Sequence, residues 1–327
     1  MSVLAADRVD FDSEEAVAEG YAERGWTDGL PIVPPTEGRV QAMLAAAGLD
    51  PSEVLGAVPT RKLTVTAEAA AINAVMAGCR PEYFPVVVAA VRAHLHPKGN
   101  CHSTTATVSG AAQVVVVNGP ITGELGIHGG QACFGPGFRA NATIGRALRL
   151  VIRNVCLAVP GGLDRASFST PMRYSFCFAE DETSGWTPLH VQRGLADGES
   201  AVTVLSLMSM LRASSYSEDP AELVATIART ARREGVPHDE FLGTGRSLAI
   251  VVGPEHRRRF ADAGWDKPTL QQRLWPLLTA PTTGAEDNTL DLAGPDNILV
   301  ITAGGPGMAE SWLITPHLSN PITERVV

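Results

Sequence analysis

Hydrophobic and polar positions change their rhythm near residue 100. Before it, apolar residues recur at helical spacing between Pro- and Gly-rich breaks. Asp12 with Glu15 makes a capping-box-like start for a helix to about Arg24. Residues 25–35 (GWTDGLPIVPP) cannot form regular helix, because prolines remove donors and restrict their predecessors. They read as an extended arm, with a turn at Asp28-Gly29. Thr36 caps a helix to about Ala47, and residues 50–53 (DPSE) open a short one. Thr66 starts an Ala-rich helix ending at Gly78, and Pro81-Glu82 starts the next, to about His94.

Beyond residue 100, strands enter the pattern. Residues 113–117 (QVVVV) form a continuous apolar run, which suits a strand buried on both faces, and end in Asn118-Gly119-Pro120. A Gly-rich loop leads to a helix over 141–154. Residues 172–179 and 201–208 read as strands, and Asp219-Pro220 starts an amphipathic helix. Residues 247–252 form a strand ending in Gly253-Pro254, followed by a helix to about Ala263 with Gly264 just past its end. Asp266 caps a helix to about Trp275, and residues 297–302 form a last strand ending in GGPG at 304–307.

This alternation predicts an α/β fold with a mixed or mainly parallel sheet, flanking helices and a helical N-terminal region. Residues 1–100 would form that helical region with its Pro-rich arm, and residues 101–327 the α/β core. The core would be either one continuous domain or subdivided near 165–200. No long-range repeat is legible, only shared punctuation: three apolar strands stop in Gly-Pro turns. Ligands of open α/β sheets bind beyond the carboxyl ends of strands, so the three turns predict one shared site.

Composition narrows the setting. With 45% hydrophobic and 19% charged residues, the 327-residue chain is globular in character. Its net charge of −9 argues against nucleic acid or an anionic membrane as partner, since both need a cationic footprint. No apolar run is long enough to span a bilayer, and the acidic N-terminus lacks a signal-peptide core. Five widely spaced cysteines without CxxC fit free thiols in a reducing, cytoplasmic compartment.

Candidate chemistry lies around the first turn. Cys79, between two helices and beside Arg80, has the setting of an activated thiol. The loop over 126–141 offers backbone N–H groups and a helix start at Asn141, and with Asn118, Arg139 and Arg146 forms an anion-binding set. It matches neither a Walker A sequence nor a dinucleotide fingerprint, so no nucleotide cofactor is indicated. His128 is the acid/base candidate of this loop. Glu180, at a strand end beside aromatics, is a candidate base. A metal set assembled from distant segments would comprise His102, His128 and Cys133.

Several stretches carry a wider likeness: DGLPIVPPT at 28–36, MAGCRPEYFP at 76–85, VNGPI at 117–121, GPGFRANATIGR at 135–146 and GGPG at 304–307. Through them the chain resembles an uncharacterised bacterial protein family, some members of which occur alongside small proteins with a selenocysteine- or cysteine-Gly-Ser-Cys motif. That resemblance implies thiol or selenol chemistry and a partner subunit. This chain has no such motif of its own.

The leading expectation is an enzyme acting on a small carboxylate-bearing metabolite through cysteine or histidine chemistry. Two others stand beside it: a metal-dependent lyase or hydrolase with His/Cys ligands, and a non-catalytic subunit of a thiol/selenol redox complex. A homo-oligomer is compatible with each.

Overall fold

The computed structural model describes residues 3–234, 247–281 and 290–327. Its frame is a mixed seven-stranded sheet that curls on itself, flanked by helices, with a mainly helical N-terminal region and a separate two-stranded hairpin. The hairpin is β1 (Val54–Val58) with β2 (Leu63–Thr66). The sheet contains β3 (Ala112–Asn118), β4 (Cys177–Ala179), β5 (Ala201–Ser214), β6 (Leu248–Val252), β7 (Ile298–Thr302), β8 (Glu310–Pro316) and β9 (Ile322–Arg325). Their order is β4-β3-β5-β8-β6-β7, with β9 pairing the first residues of β5.

The apolar runs are explained by burial on both faces. In β3, Val114 and Val116 point into the curl, while Val115 and Val117 pack under the N-terminal helices. In β4, Phe176 just before the strand and Phe178 face inward and Cys177 and Ala179 outward. In β6 and β7 the inward set is Ala249, Val251, Leu299 and Ile301, and the outward set packs under C-terminal helices. Period-2 alternation therefore divides side chains between two buried environments rather than between core and water.

The two halves of the sheet repeat one plan. β3 and β4 are a parallel pair, joined by a crossover that includes the helix Arg139–Asn154, and β5 runs antiparallel beside β3. β6 and β7 are a parallel pair, joined by a crossover with the helices Pro254–Asp262 and Lys267–Thr279, and β8 runs antiparallel beside β6. β5 and β8 meet antiparallel at the seam. The Gly-Pro turns after β3 and β6 occupy equivalent places in this plan, whereas β4, the counterpart of β7, runs into Glu180-Asp181.

Several elements depart from the sequence reading. Residues 50–53 make a turn into the β1–β2 hairpin rather than a helix. The N-cap of the first helix is Ser13, whose side chain accepts from Ala16 N. β8 and β9 follow the strand read as the last one. One apolar core runs from Val40 through the N-terminal helices to Val204, with no break near residue 100. Among the described residues, no helix is long and apolar enough to cross a membrane.

Candidate functional site

The curl closes where the ends of β4 and β7 meet. Asp181 N donates to Thr302 O at 2.6 Å, and Thr302 Oγ1 donates to Asp181 O at 2.7 Å. The Gly-rich loop is wedged beside this contact. Ala179 N donates to His128 O at 3.1 Å, and Gly304 N donates to Gly129 O at 2.8 Å. A Cβ on Gly129 would lie 2.2 Å from Ala179 O, so only glycine lets the loop approach this closely. Gly129→Ala should destabilise the fold by about 1–3 kcal/mol through overpacking, read as a lower denaturation midpoint.

Glu180 is the buried anchor of this junction. Its Oε1 accepts from Lys267 Nζ at 2.5 Å and Thr302 N at 3.2 Å. Its Oε2 accepts from Leu189 N at 2.6 Å and Asn118 Nδ2 at 2.7 Å. Four donors thus converge on one carboxylate that belongs to the frame, which corrects its reading as a catalytic base. The Asn118 amide also donates to Glu182 Oε1 at 2.8 Å, so Asn118 is likewise a fixture of the strand ends.

The second and third turns do converge on a cavity of about 330 Å³. Gly253-Pro254, Ala303–Gly305 and residues 131–135 of the Gly-rich loop form its walls, with Met308, Glu310 and Trp312 completing them. The first turn, Asn118–Pro120, does not line this cavity, although the Gly-rich loop that follows it does. Phe134 anchors the loop edge-on against Phe178, with ring centroids 4.9 Å apart. Next to it Ala132 holds a left-handed backbone, φ +59°, a strained conformation for a residue with a Cβ.

Cys133 follows that strained residue and lines the cavity. Burial pushes its thiol up to about 11, against hydrogen bonds from the backbone of Gly304, Cys133 and Phe134 that favour the thiolate. The resting group is therefore a protonated thiol, and of these three N–H groups Gly304 N donates to Gly129 O and Cys133 N to Gly130 O, which leaves that of Phe134. The Phe134 N–H can stabilise a thiolate or an oxyanion once a proton has been removed. Glu310 is the carboxylate of the same cavity, and its Oε2 is buried without a hydrogen bond, 3.7 Å from Arg212.

The other sequence candidates are placed elsewhere. Cys79 is buried, and desolvation pushes its thiol up to about 12 despite a hydrogen bond with Thr143 and the charges of Arg139 and Arg146. Burial thus overrides the cationic setting that favoured a thiolate. Arg139 donates through Nε and Nη2 to Gly78 O, the C-terminal cap of the helix Ala67–Ala77. Arg146 is bidentate with Asp28, both contacts at 2.8 Å, and pins the Pro-rich arm. These two arginines therefore hold protein rather than face the Cys133 cavity. Asn141 clasps the backbone of His128, and the His128 ring stacks on Phe138 with Nε2 at 2.9 Å from Gln131 O.

The metal set is not assembled. His102 bonds Thr60 Oγ1 at 3.0 Å beside the hairpin, apart from the partners of His128 and Cys133. Among the described residues no three His, Cys, Asp or Glu side chains form a group that could hold a metal ion. All five cysteines are free and buried. Cys101 and Cys156 are neighbours. The Cys156 hydrogen bond, then His94 and Arg61, holds the Cys101 thiol low, while that of Cys156 is pushed up.

Sequence reasoning missed Lys267 and Glu310. Lys267 carried a legible sign: a cation in the first turn of a helix opposes the macrodipole, and a buried carboxylate partner resolves the conflict. Glu310 lies on β8, whose mixed sequence ESWLITP hid the strand. No family model, curated protein or solved structure matches this chain.

Proposed function

We propose that this chain is an enzyme acting on a small carbonyl-bearing metabolite through Cys133. The observation that carries this reading is the placement of that thiol in the cavity where two Gly-Pro turns and the Gly-rich loop converge, beside the Phe134 N–H. Glu310 is the group in the cavity suited to take the thiol proton, and the Phe134 N–H is suited to the oxyanion formed when sulfur adds to a carbonyl. A carboxylate-bearing substrate has less support here, because Arg139 and Arg146 are engaged with protein groups.

The test is selective labelling. In the folded Cys101→Ser variant, which removes the thiol held low by Cys156, His94 and Arg61, a small iodoacetamide probe should modify Cys133 before Cys79 or Cys177, with peptide mapping as the readout. The thiolate is the reactive form, so the rate should rise about tenfold per pH unit from neutrality toward pH 11. Cys133→Ser should remove the fast phase. Labelling of Cys79 or Cys177 at an equal rate would refute this reading.

A further inference from the structure

A second cavity, of about 640 Å³, lies behind the helix Arg139–Asn154, walled on its other side by residues 158–174. Four guanidiniums line it: Arg149, Arg153, Arg165 and Arg173. The carboxylates in the wall are Asp28 and Asp164. Asp28 is already bidentate with Arg146, and Asp164 is paired with Arg173 Nη1 at 2.5 Å. The hydrogen bonds of Arg149, Arg153 and Arg165 go to carbonyl or amide oxygens. The wall thus holds more cation than its own carboxylates neutralise.

Two further features mark it as a built site. The Arg173 side chain is only 10% exposed, and its Nη2 is buried with no hydrogen-bond partner. Its neighbour in the wall, Ser169, holds a left-handed backbone at φ +85°. Burial pushes the Arg149 guanidinium down to about 9, with the Arg173 charge adding to the effect, so an anion brought here would offset a cost already present. Beside these cations stand two rings, Phe168 at 97% exposure and Tyr174 at 50%.

We infer that this cavity binds a ring-bearing small molecule with an oxyanion, carboxylate or phosphate. The four guanidiniums would hold the anion, and Phe168 and Tyr174 would cover the ring. Planar guanidiniums suit both oxyanions, and exposed rings beside them suit a flat apolar body. The site does not depend on the Cys133 reading, with which it shares no lining residue.

Calorimetric titration at constant ionic strength tests it, using phenyl phosphate, phthalate and inorganic phosphate. One aryl anion should bind at 1:1, about tenfold or more tighter than inorganic phosphate. The ranking of phenyl phosphate against phthalate identifies the oxyanion. Arg165→Ala, at an exposed position, should weaken binding about tenfold. Phe168→Ala should remove the aryl advantage and leave inorganic phosphate unchanged. The proposal is overturned if no aryl anion binds, if Arg165→Ala and Arg153→Gln bind like the parent, or if aryl and inorganic anions bind equally. Iodoacetamide labelling of Cys133 in Arg165→Ala should match the parent, so failure at one site is read separately from failure at the other.

Discussion

Replacing Lys267 with methionine should cost the fold about 3–5 kcal/mol, measured as a lower midpoint in equilibrium denaturation. The two side chains of the pair are among the most deeply buried charges of the protein, with Lys267 1% and Glu180 0% exposed. Methionine fills similar volume, so the loss comes from charge rather than from a cavity. Three donors would still reach Glu180: Thr302 N, Leu189 N and the Asn118 amide. None carries the charge that balances the carboxylate. The double variant Lys267→Met with Glu180→Gln should recover part of the loss, because no unpaired charge then remains inside. A loss below about 1 kcal/mol in the single variant would show that the three neutral donors suffice.

Raising the pH above about 9 should destabilise the fold through its buried thiols, which together outweigh the opposing contribution of Arg149, whose folded value lies near 9. Burial pushes the thiols of Cys79 to about 12 and Cys133 to about 11, from a value of 9.0, and raises Cys177 as well. Above pH 9 the unfolded chain releases these protons while the native chain keeps them. The unfolded state then binds fewer protons, so stability falls as pH rises. Each thiol contributes on the order of 1 kcal/mol per pH unit until its folded value is reached. Denaturation midpoints at pH 8, 9, 10 and 11 check this, and Cys79→Ala should flatten the alkaline slope. A midpoint constant across that range would contradict it.

The α/β class, the helix caps at Thr66 and Asp266, and the strands β3, β6 and β7 were legible because local chemistry marks them. Thr66 accepts from Ala69 N, Asp266 accepts from Thr269 N, and each of these strands is a continuous apolar run. β8 was not legible, although it sits at the centre of the sheet. Its apolar run is only Trp312-Leu313-Ile314, flanked by the buried but polar Ser311 and Thr315 and closed by a proline, too short to stand out from a loop. Two of the three turns, Gly253-Pro254 and Gly304-Gly305, line one cavity, and the first does not. Arg139 and Arg146 misled because a guanidinium offers the same donors to a backbone carbonyl or an aspartate as to a ligand. Nothing in their local sequence distinguishes the two, whereas partner geometry does.

The seam between β5 and β8 also dictates an order of assembly. β3, β4 and β5 can pair as soon as they leave the ribosome, but the C-terminal half of β5 finds its neighbour only in residues 310–316. β9 then covers the other half of the same edge from the last residues of the chain. Until residues 310–325 emerge, one edge of a long apolar strand therefore stays open to other chains. A nascent protein built this way should depend on rapid release or on a chaperone holding that edge, and its aggregation during expression should track translation speed more closely than native stability.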